Sequence, residues 1–294
     1  MVHEAMKETD VAALIRLLED PDEDVYKTVL KRLSDLGEPV IPALEEAWET
    51  SQDELLQYRI ESLIQTIQFN STYAQLAQWK VSEDQDLMQG CFIIARSQYP
   101  DLERKKLDEQ IDKITRDIWI ELNDRLTALE KVRIINHILF STYGFSGNHA
   151  NFYSPQNNYI NNVLETRKGN PLSLSVVYSI VAQKLNLPVY GVNLPKHFIL
   201  AYRDEYRSEE TFDPEINDHI LFYINPYNKG SVLGKPELEE FLRQQKLESR
   251  REYFVPCTNV FIMERLLNNL IFSFNKLGYQ EKVIQLENLL KALE

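Results

Sequence analysis

An α+β fold that is predominantly α is what this chain of 294 residues predicts. Three observations carry that expectation. Apolar residues recur at helical spacing from Asp10 to Tyr143 with few breakers. Runs rich in β-branched and aromatic residues are confined to three short stretches between Val189 and Ile224, which read as one small antiparallel sheet. Helical patterning resumes at Pro236 and runs to the end of the sequence. The expected organisation is a helical segment over residues 1–70, a core over 71–250 and a helical hairpin over 251–294, so that helical-repeat-like segments flank the core.

At the N-terminal end, Val11, Leu14, Ile15, Leu17 and Leu18 form an apolar stripe that halts at Asp20-Pro21-Asp22. Val25, Val29, Leu30, Leu33 and Leu36 mark a second helix, with Gly37 placed for a left-handed cap. Pro39 to Trp48 opens a third amphipathic segment and Leu55 to Ile67 a fourth. The succession Leu14-Ile15-x-Leu17-Leu18, Asp20-Pro21-Asp22 and Val25-x-x-x-Val29-Leu30 resembles a HEAT-type helical hairpin. Residues 1–60 hold 15 acids against 6 Lys or Arg. That excess reads first as a solvated face and second as a docking surface for a basic partner.

The middle is helical as well, with segments over Leu87 to Arg96, Lys106 to Trp119 and Leu126 to Tyr143. Gly144 to Asn148 reads as a loop, and a short helix runs to Thr166. Asn170 is a favoured N-cap and Pro171 a favoured first helical residue, so they open a helix. Leu172, Val176, Val177, Ile180 and Val181 make that helix apolar enough to be central and buried. The strands are expected at Val189 to Leu194, His197 to Tyr202 and Ile220 to Ile224, with Tyr206 to Asp218 as a surface loop. Leu266 to Leu293 carries a hairpin pattern that resembles one tetratricopeptide unit, which must dock elsewhere because it cannot bury its own face alone.

Composition narrows the function classes. The formal net charge is −13, with 32 Lys or Arg against 45 Asp or Glu, which argues against nucleic acid as a partner. No run of about 18 apolar residues occurs and the N-terminus lacks a basic flank before an apolar run, so neither membrane insertion nor export is expected. Cys91 and Cys257 are far apart and read as free thiols of a cytoplasmic protein. His3, His137, His149 and His219 show no metal-ligand spacing, and no glycine-rich phosphate loop is present, so no metal and no cofactor is expected.

A series of motifs in order then suggests a family. Tyr99-Pro100-Asp101-Leu102, Tyr143-Gly144-Phe145-x-Gly147-Asn148, Asn158-Tyr159, Val163-Leu164-Glu165-x-Arg167-x-Gly169-Asn170-Pro171-Leu172-Ser173-Leu174-Ser175, Gly191-Val192-Asn193-Leu194-Pro195-x-His197-Phe198 and Ile224-Asn225-Pro226 together resemble the bacterial SirB family of transglutaminase-like proteins. The resemblance implies a papain-like transglutaminase core, in which a helix start bears a thiol, an adjacent strand supplies His, and the next strand supplies an acid or amide. A thiol at a helix N-terminus meets unpaired amides and the positive dipole end, which favour thiolate. His then acts as base and the third residue orients it.

On that frame His197 takes the base position and Asn225 the orienting position, where the family pattern has Asp. Superfamily enzymes open the helix with Gly-x-Cys; this chain has Gly169-Asn170-Pro171, so the nucleophile position holds proline. Ser175, four residues on and deeper along the helix, is the weak substitute nucleophile, and Ser173 turns away. Asn170, Pro171, Ser173, Asn193 and Lys196 are expected around the cleft, with Lys196 and Lys229 replacing family glycines and adding charge at its mouth. The expected function is non-catalytic binding of a peptide or protein partner in a relic cleft flanked by helical-repeat surfaces. The alternatives are a hydrolase or acyl transferase using His197 as base, and a purely structural adaptor.

Overall fold

A computed structural model describes residues 8–195, 197–204 and 219–294. Lys196, His3 and the expected loop from Tyr206 to Asp218 lie outside the described residues. The chain forms two compact units, Met1–Ala77 and Gln78–Glu294. Among the described residues no helix is long and apolar enough to cross a membrane.

The first unit is built from α1 (Glu8–Arg16), α2 (Glu23–Leu36), α3 (Ile41–Thr50) and most of α4 (Glu54–Lys80). Asp22 caps α2 by accepting from the Asp24 and Val25 amides at 2.9 and 3.3 Å, which explains why the acidic break after Leu18 restarts a helix. The buried stripes meet in one cluster that includes Leu18, Leu33, Leu44, Ile60 and Leu63. Arg59 locks it by donating to the Leu18 carbonyl at 2.5 Å while its guanidinium covers the Tyr26 ring at 4.2 Å. The fourth segment is longer than the periodicity of Leu55 to Ile67 suggests, because nothing between Gln68 and Lys80 breaks a helix.

The second unit opens with α5 (Leu87–Arg96), α6 (Arg104–Glu121) and α7 (Ala128–Asn136). Two-residue strands β1 (Ser146–Gly147) and β2 (Lys168–Gly169) pair in parallel around α8 (Ile160–Thr166), so part of the expected loop is a strand. Next comes α9 (Pro171–Lys184), buried from Pro171 through Ala182. A helix apolar on all sides needs cover on all sides, and α9 packs on the sheet as well as on α5, α6 and α8.

That sheet has four antiparallel strands in the order β3 (Val189–Leu194), β4 (His197–Arg203), β5 (Ile220–Asn225) and β6 (Ser231–Leu233). The first three coincide with the β-rich runs, while β6 is too short to have carried a signal. One face of the sheet joins Val192, Ile199, Ala201 and Tyr223 to Leu238 and Leu242 of α10 (Lys235–Gln244). The chain closes with α11 (Asn259–Leu277) and α12 (Gln280–Leu290), turned at Gly278, whose φ of 81° is the left-handed cap. These two helices pack on each other, and α11 also packs on α9 within the same compact unit.

Candidate functional site

The opening of α9 is held by reciprocal hydrogen bonds. The Asn170 side chain accepts from the Ser173 amide at 2.9 Å, and the Asn170 amide donates to Ser173 Oγ at 3.0 Å. The remaining amide donor of Asn170, Nδ2, reaches Asn158 Oδ1 at 2.7 Å. Pro171 takes the first helical position, where its ring presets φ and a missing N–H leaves nothing unpaired.

The sheet register brings the two strand residues to one face. Leu200 pairs with Ile224 and Ala201 with Tyr223. Continued, that register sets Asn225 opposite Ile199, so alternation sends Asn225 and His197 out of the same side. The His197 ring is hydrogen-bonded to the Asn225 side chain, which favours the protonated ring, but burial outweighs this and lowers its pKa. His197 is therefore neutral at pH 7 and able to accept a proton. Its ring lies edge-on to Tyr227 with centroids 6.3 Å apart and 5.8 Å from Phe241 of α10. Tyr227 in turn shares a 3.0 Å hydrogen bond with His149 Nδ1.

His197 and the Asn170-Pro171 opening line one cavity of about 600 Å³. The opposite wall comes from α11, through Arg265, Asn269, Phe272 and Ser273. Phe152 and Tyr153 contribute aromatic lining, with Tyr153 5.8 Å from Phe272 and beneath the Lys276 ammonium at 3.3 Å.

Several expected cleft residues do not line this cavity. Ser175 is fully buried and donates to the Pro171 carbonyl at 2.8 Å, so the candidate nucleophilic hydroxyl is bound back into its own helix. Ser173 is likewise buried in the cap, and Lys229 is exposed and not among the lining residues. Asn193 is not among the lining residues; its Oδ1 accepts from Arg265 at 3.2 Å. Neither cysteine lines the cavity, and burial pushes both thiols up to about 12. Among the described residues no group of three or more His, Cys, Asp or Glu is placed to hold a metal ion.

Sequence reading missed the α11 wall. Arg265, Asn269 and Ser273 recur every four residues and interrupt a helix whose buried face is otherwise Ile262, Leu266 and Leu270. A polar stripe on a helix expected to dock was the available signal.

Residues 105–268 match the family described as the transglutaminase-like superfamily, and residues 4–64 match HEAT repeats. Among curated proteins, a UPF0162 protein of Xylella fastidiosa (strain 9a5c) is 34% identical over 190 residues, which is 63% of each chain. F-box only protein 21 of Mus musculus is 32% identical over 158 residues, 53% of this chain and 23% of that one. A UPF0162 protein of Pasteurella multocida is 34% identical over 110 residues, 37% of this chain and 41% of its own. The chain thus spans less than two thirds of the length of each of these relatives. No solved structure gives a significant match.

Proposed function

We propose, from the premise that this chain belongs to the transglutaminase-like superfamily, that it is a non-catalytic member whose cavity binds a segment of a peptide or protein partner. The observation that carries the reading is the proline at the first position of α9, in a cavity that remains open beside a paired His197 and Asn225. Proline offers no nucleophile, Ser175 is bound to the Pro171 carbonyl, and both thiols are elsewhere. The exposed rings of Tyr153 and Phe272 at the cavity rim suit a peptide, since aromatic side chains dominate peptide-contact energetics. Within the superfamily the ordered motifs favour the SirB family, and two unpaired cysteines favour the cytoplasm.

The test is selection of random twelve-residue peptides on the full chain, followed by affinity measurement on Asn269→Trp, which fills the cavity from a half-buried wall position. Binders that weaken at least tenfold on Asn269→Trp support the reading; binders indifferent to it, or none, overturn it. Neutral His197 also favours a second reading, a hydrolase or acyl transferase with that ring as base. Cleavage or transfer of a selected peptide that disappears in His197→Ala would favour this alternative.

A further inference from the structure

The cavity's charge is at odds with the chain around it. The chain carries 45 acids and a net charge of −13, yet among the described residues no Asp or Glu lines the cavity, while Arg265 does. A guanidinium has five N–H donors. The neutral Asn193 Oδ1 takes one of them, at 3.2 Å, and among the described residues no carboxylate lies within ion-pair distance of Arg265. Burial shifts its pKa downward, and among the described residues no acid acts the other way.

Arg265 is half-buried, and a cation partly withdrawn from water with no counter-charge gains from an anion that reaches it. Two further features have the same sign. The α9 N-terminus ends in the cavity wall, with the Leu172 amide in the first turn, where helix geometry supplies no acceptor. The Lys276 ammonium sits over Tyr153 at the aromatic lining. Asn269, one turn from Arg265 on the same face of α11, adds an amide donor. His197, being neutral, adds no charge of either sign.

We propose that the cavity recognises a carboxylate of its peptide ligand, with Arg265 as the residue that binds it and the α9 N-terminus as a second positive element. This rests on the peptide-binding reading above. A planar carboxylate matches the two-donor edge of a guanidinium, so one group can replace the missing counter-charge and supply directional hydrogen bonds. The carboxylate comes from an Asp or Glu side chain or from a peptide C-terminus, since both present the same two oxygens.

The experiment takes peptides whose binding is lost on Asn269→Trp and resynthesises each in four forms: with Asp and Glu kept or changed to Asn and Gln, and with a free or amidated C-terminus. Binding to the unaltered full chain should fall about tenfold or more when one particular carboxylate is removed, and the sensitive arm identifies its source. On Arg265→Gln the acidic and neutralised forms should bind equally, whereas Arg265→Lys should retain part of the difference. Cavity-dependent peptides that tolerate loss of every carboxylate would overturn the proposal while leaving the peptide-binding reading intact. A carboxylate effect undiminished in a folded Arg265→Gln would overturn the role of Arg265. If Arg265→Gln fails to fold, the peptide-side comparison on the unaltered chain still decides the carboxylate. Absence of any cavity-dependent peptide refutes both readings together.

Discussion

Replacing Asn170 with Ala removes more than a helix cap. The Asn170 side chain accepts from the Ser173 amide at 2.9 Å, and loss of such a cap costs about 1 kcal/mol. Its Nδ2 also donates to Asn158 Oδ1 at 2.7 Å, and Asn158 is 4% exposed, so the substitution leaves a buried acceptor without its partner. An unsatisfied buried acceptor costs about 1–3 kcal/mol, which brings the expected loss to about 2–4 kcal/mol. Asn170→Asp keeps the cap oxygen, and the Asn158 amide can rotate to donate to the new carboxylate; its loss should stay below about 1 kcal/mol. Urea unfolding followed by tryptophan fluorescence reads the difference. A Trp48→Phe background leaves Trp79 and Trp119, both in the second unit, as the reporters. An Asn170→Ala loss below about 1 kcal/mol, or an Asn170→Asp loss as large as that of Asn170→Ala, would refute the accounting.

Pro171→Cys should fold, because a first-turn amide needs no helical partner, and should place a thiol at the positive end of α9. Its titration in the ultraviolet thiolate band should fall below the ordinary value of about 8.5 and stay distinct from Cys91 and Cys257, which burial holds near 12; a value at or above the ordinary one refutes the electrostatic description of the cavity. The lowered His197 pKa makes a second, signed prediction. As pH falls through about 6.5, the unfolded chain takes up a proton that the folded ring resists, so this residue's contribution to stability is complete above that pH and is lost below it. Thermal midpoints of the unaltered chain and His197→Gln should therefore shift in favour of the variant between pH 7.5 and 5, as measured by circular dichroism, and a pH-independent gap would contradict the burial argument.

How much of this was legible in the sequence depends on the range of the interaction. The cap at Asn170, the proline behind it and the return of Ser175 to its own helix are contacts within four residues, and propensity with helix geometry predicts them. The first three strands of the sheet carried enough β-formers to be read, and family spacing brought His197 to Asn225. The short strand β6 and the parallel pair of β1 and β2 exist because neighbouring backbone is available, a fact recorded in no local pattern. The α11 wall was hidden for a similar reason. Setting residues 251–294 apart as a hairpin separated Arg265 from Asn193, which lies 72 positions earlier in the chain. Asn193 was expected around the cleft, but it is not among the lining residues and bonds Arg265 instead, because motif spacing along a strand carries no direction.

The proline at the start of α9 links these observations. A catalytic thiolate there would be the cavity's own anion, balanced by the helix terminus and by any cation close enough to share it. With Pro171 in its place the local backbone is, if anything, better suited to starting a helix, so the fold has no structural reason to reject the change. The positive end of α9 belongs to the backbone and is there whatever residue opens the helix, and Arg265 stands in a wall whose described lining holds no acid. A proline at that position therefore does not neutralise the cavity: its described lining carries positive potential and no acid. A structural adaptor with a closed cleft would have no use for that arrangement and would be better served by apolar side chains of similar volume, since an uncompensated cation in a wall is a standing cost. Substituting Arg265→Met distinguishes the two cases: an adaptor gains or keeps stability and loses nothing else, whereas a binding cavity keeps its fold and loses the carboxylate-bearing peptides.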